Sequence, residues 1–285
     1  MSRTPPVLGL SHSPTPEHRT EEGLAQWIRE NRIDEIECVT PDFAGIARGK
    51  VMPAMKFANG AEVRLPTSIF FATISGEWAE VPHKELDSDA DMHLRPDYST
   101  ARAVPWANDP SLQVIHDLYD GRGHPSALAP RQVLRRVIDA YTEQGWRPVV
   151  APEWEFYLTK PNTDPDYPLE PPVGRSGRQS TGSQAVSLSA VDEFDPVIEH
   201  ISDYAEAQNL SIDTIIQESG AAQLEINLTH GDPMELADEV FLFKRLIKEA
   251  ALRCGCYATF MAKPMENQPG SAMHVHMSVV DMESG

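Results

Sequence analysis

The 285 residues suffice for two ordinary domains, and 41% hydrophobic with 24% charged residues describes a globular chain with a sizeable core, not a disordered one. The 43 Asp and Glu against 24 Lys and Arg give a formal charge of −19, which opposes the basic footprint of nucleic-acid or anionic-membrane binding and favours cationic partners, metal ions or amines. Three cysteines, Cys38, Cys254 and Cys256, make no disulfide framework and fit a reducing cytoplasm, and no apolar run approaches the ~20 residues of a membrane helix.

Residues 1–18, rich in Pro, Ser and Thr and lacking the apolar centre of a signal peptide, predict a flexible tail. Over 21–31 the residues Leu24, Trp27 and Ile28 recur at helical spacing, with Thr20 as the N-cap. Over 33–40, Glu35 and Glu37 alternate with Ile36 and Cys38, as in a half-buried strand. Gly45 and Gly49 mark a turn into a second strand near Val51, and 63–73 holds further β-prone residues. These elements predict a small α+β module ending near Trp106. Residues 108–129 read as a linker around one strand, 112–117, because Gly121, Gly123 and Pro125 break regular structure.

A second domain is expected beyond that linker. The stripe Val133, Val137, Ile138 and Tyr141 predicts a helix over 130–144, stopped by Gly145, and a strand follows over 147–159. Residues 160–184 are heavy in Pro, Gly and charge and read as a long, mobile surface excursion. Beyond it the pattern predicts a helix over 194–208, strands over 211–217 and 223–228, a helix over 234–252, and strands over 257–262 and 273–280, with no internal repeat.

Three segments carry chemistry. In Pro152-Glu153-Trp154-Glu155-Phe156 two carboxylates stand two apart on a strand, so both project from one face. A lone pair of this kind is also what a solvated strand face shows. Its apolar neighbours Val149, Val150, Phe156 and Leu158 instead suggest a buried strand, where two acids are costly unless a cation neutralises them. Glu218 and Glu225 stand seven apart across Ser219-Gly220-Ala221-Ala222. In a continuous strand that spacing sends them to opposite faces, but a bend or bulge at the small residues brings both to one cavity; surface glutamates beside a turn are the plain alternative. In Gly270-Ser271-Ala272-Met273-His274-Val275-His276-Met277-Ser278 two imidazoles share a strand face, as metal or phosphate ligands or as exposed polar residues. Carboxylates with one or two imidazoles suit Mg²⁺ or Mn²⁺ better than zinc, and two such cations can grip ATP phosphates. Cys254-Gly255-Cys256 is too closely spaced for the usual zinc pattern and has no matching pair.

These three blocks, in this order, resemble the glutamine synthetase family, with its strand E-x-E-F, its E-x6-E pair and its G-S-x-M-H-x-H strand, and Asp91-Met92-His93-Leu94-Arg95-Pro96-Asp97 resembles the family's D-M-x-L-x-P-D segment. The resemblance implies an α+β fold: a β-grasp-like N-terminal domain over 19–112, then a catalytic domain over 113–285 with an antiparallel sheet and flanking helices, incomplete at its C-terminal end. It implies that Glu155, Glu218 and Glu225 bind the metal nearest the amine and glutamate, and that Glu153 and His274 bind the second. His276, Ser278 and, less directly, Asp213 match positions near the nucleotide, and Gly270 matches a backbone contact to glutamate. The implied chemistry is phosphorylation of the glutamate side-chain carboxylate by ATP, then displacement of phosphate by an amine. No residue is matched to an acid or base role.

Two departures bear on the nucleophile. Ammonia-using members have N-G-S-G-M-H where this chain has Pro269-Gly270-Ser271-Ala272-Met273-His274, and their D-G-S-S segment has no counterpart beyond Ser75-Gly76-Glu77-Trp78. The pattern from Lys263-Pro264 to Ser271 is similar to the γ-glutamylpolyamine synthetase branch, which implies an organic amine or polyamine in place of ammonia. Family members continue past this point with a further metal carboxylate, a flap glutamate and phosphate-binding arginines. The end at Gly285, just after a strand, therefore reads as a truncation, and the fragment is expected to be poorly active alone. The resemblance also implies a cytoplasmic homo-oligomeric ring in which the N-terminal domain completes a neighbour's site, with no nucleic-acid or membrane partner. The competing readings are an ammonia-using glutamine synthetase, a catalytically silent relative with a structural or regulatory role, and a divalent-metal sensor without ATP chemistry.

Overall fold

The computed structural model describes residues 10–79 and 89–284. Two units, Met1–Gly145 with Ala207–Asn209 and Trp146–Glu206 with Leu210–Gly285, are each organised around one sheet.

In the first unit, Thr20 caps helix α1 (Glu21–Glu30) by accepting from the Gly23 N–H at 3.1 Å, and Leu24, Trp27 and Ile28 form its buried stripe. Then come β1 (Glu35–Pro41), β2 (Ala47–Pro53), α2 (Ala54–Ala58), β3 (Val63–Pro66), β4 (Asp91–Pro96), β5 (Arg102–Ala103), β6 (Ser111–Tyr119) and α3 (Pro130–Thr142). Gly45, at φ 66°, makes the turn between β1 and β2. The β-prone run expected through 73 ends at Pro66, where a 3-10 turn, Thr67–Phe71, drives Phe70 and Phe71 into the core.

The sheet order is β2-β1-β6-β4-β3, with β5 also on β6; β1 and β6 run parallel and the other pairs antiparallel. The strand expected over 112–117 is present as β6, and because it is central to this sheet the stretch expected as a linker lies inside the unit. Ser111 to His116 are buried without a break, so β6 lacks the alternation of a half-exposed strand. The expected boundary at 112 falls inside it, and the unit runs on to Gly145. Of the expected tail, 1–9 lie outside the described residues; Leu10 packs on the core and Ser13 is buried. Helix α3 forms as expected, yet Val133 and Val137 are exposed, while Arg131 is buried between Asp117 (2.6 Å) and Asp97 (2.7 Å).

In the second unit the long strand β7 (Trp146–Thr159) is the axis. It is followed by α4 (Leu188–Asp192), α5 (Asp195–Gln208), β8 (Ile212–Gln217), β9 (Gln223–Leu228), α6 (Pro233–Arg253), β10 (Tyr257–Thr259) and β11 (Met273–Asp281). On one edge β7 pairs with β9 over 153–157; on the other it pairs with β11 over 146–154 and β10 over 157–159, all antiparallel, and β8 extends the sheet beyond β9. Helix α6 buries Leu236, Phe241, Phe243, Leu246, Ile247 and Ala250 and ends at Gly255, φ 70°. The helix expected over 194–208 is present as α5, with Pro196 in its first turn, where its missing N–H costs nothing, and the short α4 precedes it.

The excursion over 160–184 has only an isolated bridge, Val173 to Gln179. It is nonetheless anchored. Lys160 pairs with Glu170 at 2.7 Å, Ser183 N–H donates to the Ser219 carbonyl at 2.8 Å, and Val186 N–H donates to the Gln217 carbonyl at 2.8 Å. No described helix is long and apolar enough to cross a membrane.

Candidate active site

Strand register assembles the acidic face of the second unit. Glu153 stands opposite Asn227 and Glu155 opposite Glu225 on β9, while His274 stands opposite Glu153 and His276 opposite Ala151 on β11. Directly paired residues project from the same face of an antiparallel sheet, so the carboxylates, both imidazoles and, two residues on, Ser278 share one side. The ambiguity at Glu218 resolves through the bend. Ile216 faces Glu225 and the chain reverses over Ser219 to Ala222, so the Glu218 N–H donates to the Gln223 carbonyl at 2.8 Å. Glu218 is thereby placed on the same face as Glu225. Ala222 takes φ 56° to close this bend, and a Cβ on Gly220 would run into the Tyr157 hydroxyl.

Each acid has specific partners. Glu153 meets His276 Nε2 at 2.9 Å and His274 Nδ1 at 3.4 Å. The expected nucleotide-side histidine thus shares a carboxylate with the expected metal-side one. Glu155 Oε2 accepts from Gln223 Nε2 at 3.0 Å and from the Ala272 N–H at 3.1 Å. Glu225 accepts from Asn227 Nδ2 at 3.2 Å. Burial pushes the Glu225 carboxyl above its usual range, the Asn227 hydrogen bond opposes this, and the charges of Glu153, Glu218 and Glu155 raise it further. Burial, then the same negative charges on Glu155 and Glu218, pushes the Tyr157 phenol up to about 12.

Four carboxylates on one sheet face, with Glu225 only 8% exposed, are an arrangement that a divalent cation relieves. The donor set of carboxylate oxygens with one imidazole has the hardness that Mg²⁺ or Mn²⁺ requires. Among the described residues no three such side chains already converge on one point, and the contacts above explain why: His274 and His276 engage Glu153, and Gln223 with Ala272 fixes one oxygen of Glu155. The set fits in chemistry and placement, with Glu153 the side chain that must turn from its histidines.

Two expected contacts fare differently. Asp213 lies in a bulge between Ile212 and Thr214, exposed and one position out of step with Thr214, which Asn227 meets at 2.9 Å on the acidic side. The register does not bring Asp213 to the acids. Gly270 is held where a Cβ would come within 2.9 Å of the Ala262 carbonyl, and its own carbonyl accepts from Gln223 Nε2 at 2.9 Å. Sequence reasoning passed over Gln223, Tyr157 and Asn227. Gln223 and Asn227 flank Glu225 at the two-residue interval that singled out Glu153 with Glu155, but neutral amides carry no charge pattern.

The sequence profile of the glutamine synthetase catalytic domain matches residues 127–285. The chain belongs to the glutamine synthetase family. It is 32% identical over 255 residues to gamma-glutamylputrescine synthetase PuuA of Escherichia coli K12, covering 86% of this chain and 52% of that one. It is 37% identical over 198 residues to glutamine synthetase of Mycobacterium bovis, covering 68% and 43%, and 29% identical over 268 residues to glutamate–isopropylamine ligase of a Pseudomonas species, covering 91% and 57%. Among solved structures, one described as apo GmaS without ligand superposes with a TM-score of 0.72 at 26% identity, covering 90% of this chain and 57% of that one. A novel glutamine synthase homolog, at 20% identity and TM-score 0.74, covering 88% and 56%, supports the fold alone. The chain spans about half the length of the curated relatives it matches.

Proposed function

We propose that the protein is an ATP-dependent glutamate–amine ligase that works with two Mg²⁺ or Mn²⁺ ions and uses an organic amine or polyamine as nucleophile. The observation that carries this reading is the convergence of Glu153, Glu155, Glu218 and Glu225 on one sheet face, close enough for the other three to raise the Glu225 carboxyl. In this reading Glu155, Glu218 and Glu225 hold the cation nearer the amine, Glu153 and His274 hold the other, and His276 and Ser278 border the nucleotide. Bound cations would supply charge stabilisation for phosphoryl transfer to the glutamate side chain. Glu155 presents one oxygen to a cation while the Ala272 N–H and Gln223 fix its other oxygen. Pro269 and Ala272, in place of the asparagine and second glycine of ammonia-using members, support the larger amine, as do the names of two of the relatives. We also propose assembly as a homo-oligomeric ring in the cytoplasm.

The test is Mn²⁺ titration of the protein followed by phosphate release from ATP with glutamate and, in parallel, ammonium, putrescine and isopropylamine. Two Mn²⁺ sites, with phosphate release favouring an organic amine over ammonium, are expected. The absence of any tight Mn²⁺ site would sink the ligase reading. Binding with release only in the ammonium arm would move the assignment to glutamine synthesis.

A further inference from the structure

We infer that Gln223 is a positioning residue of the metal face, setting which oxygen of Glu155 is offered to a cation and locking the glycine-rich loop against it. The inference rests on the metal-centre reading above and extends it to a neutral side chain.

Gln223 begins β9 and is 1% exposed, yet its amide has a partner at both ends. Its Oε1 accepts from the Gly220 N–H at 3.0 Å, closing the bend that carries Glu218. Its Nε2 donates to Glu155 Oε2 at 3.0 Å and to the Gly270 carbonyl at 2.9 Å, with the Ser271 hydroxyl at 3.4 Å. Only this orientation of the amide is compatible with its neighbours. A flipped group would set an oxygen against a carboxylate and a carbonyl, and an NH₂ against an N–H. One side chain therefore ties together three segments that each bring a group to the acidic face: the strand of Glu155, the bend after Glu218 and the Gly270 loop.

For Glu155 the consequence is directional. Two donors, Gln223 and the Ala272 N–H at 3.1 Å, hold Oε2, so Oε1 is the oxygen left to coordinate. Without the Gln223 donor the carboxylate can rotate, and a coordinating oxygen must be ordered at the moment of binding. Groups that orient a ligand in this way typically change metal affinity about 10- to 100-fold. Tyr157 provides an internal comparison, because its hydroxyl donates to the Pro269 carbonyl at 2.7 Å and so restrains the same loop without touching a carboxylate.

The experiment is Mn²⁺ titration by calorimetry and electron paramagnetic resonance on the parent protein, Gln223→Met and Tyr157→Phe, with thermal melting to establish that each variant is folded. Gln223→Met is expected to weaken one of the two Mn²⁺ sites at least tenfold and leave the other within about threefold, while Tyr157→Phe leaves both within about threefold. If Gln223→Met does not melt cooperatively, Gln223→Asn takes its place, since its amide is one methylene too short to reach both Gly220 and Glu155; the same loss is expected. A folded variant with both sites unchanged overturns the inference, as does an equal loss in Tyr157→Phe, which would assign the effect to a loosened loop. A parent protein that binds no Mn²⁺ fails the metal-centre reading itself, an outcome distinct from both.

Discussion

Gly220 and His116 show how much a single position can carry. Any side chain at Gly220 meets the Tyr157 hydroxyl and crowds the Gln223 side-chain Oε1 at 2.6 Å, and both side chains are held by other bonds, so neither can retreat cheaply. Gly220→Ala is expected to cost about 1–3 kcal/mol in urea unfolding, the range of an overpacked core. An unchanged midpoint would mean that the bend relaxes freely. His116, on β6, has its imidazole pushed down to about 4 by burial, against the Val114 carbonyl 2.8 Å from Nδ1 and the nearby Asp117 charge, which both favour the proton. The unfolded chain, with an ordinary value near 6.5, takes up a proton that the folded one refuses. This stability contribution is therefore complete above that value and falls as pH drops towards about 4, by up to ~1.4 kcal/mol per pH unit. Urea midpoints at pH 7 and pH 5 should fall apart in the parent and close up in His116→Gln; equal slopes in the two proteins would refute the assignment. The acidic residues of the candidate site drew notice in the sequence because two carboxylates on a strand among apolar neighbours need a reason. The amides that orient them did not, since an uncharged Gln or Asn on a strand is chemically silent until its partners are known.

Helices and strands were mostly legible where one periodicity dominated. Helix α1 and its Thr20 cap, the strands bearing the acids and histidines, and α6 all appear within a few residues of expectation. The misses share a cause: tertiary context removed the pattern. Strand β6 was expected over 112–117, but the Gly and Pro residues after it suggested a linker, and a strand covered on both faces shows no alternation to mark its central place in the sheet. In α3 the apolar stripe at Val133 and Val137 stays exposed, and the buried contact is instead the Arg131 guanidinium between two aspartates. An element whose cap was not foreseen supplies a clean test. Asp232 caps the 21-residue α6 by accepting from the Met234 N–H at 2.8 Å and the Glu235 N–H at 3.2 Å. Asp232→Ala should lower stability by about 1 kcal/mol, since it leaves the first-turn donors to water and removes a negative charge from the positive end of the helix. Asp232→Asn should recover most of it in urea unfolding, and equal losses in both would point to charge, not capping.

At the scale of the molecule, the formal charge of −19 acquires a local meaning. Most of the acids are spread over the surface, but four are gathered on one sheet face, where burial and mutual repulsion already hold the Glu225 carboxyl above its usual range. That arrangement disfavours the folded chain when no cation is bound and rewards it when one is, because a ligand that binds only the native state stabilises by RT ln(1 + [L]/Kd), about 2.7 kcal/mol at a hundredfold excess over Kd. Mn²⁺ should therefore raise the melting temperature by several degrees, whereas NaCl at matched ionic strength, which only screens exposed charge, should not. Glu225→Gln separates the two halves of the argument. It removes one of the repelling charges while keeping shape and the capacity to accept from Asn227, so the metal-free variant should melt at or above the parent. Under the proposed metal-centre reading it also removes a ligand, so the Mn²⁺ increment should shrink or vanish and the two melting curves should cross as Mn²⁺ is added. Parallel curves would show that the cation acts elsewhere on the acidic surface, and a metal-free variant melting well below the parent would show that the Glu225 carboxylate is held by its hydrogen bond more strongly than its neighbours repel it.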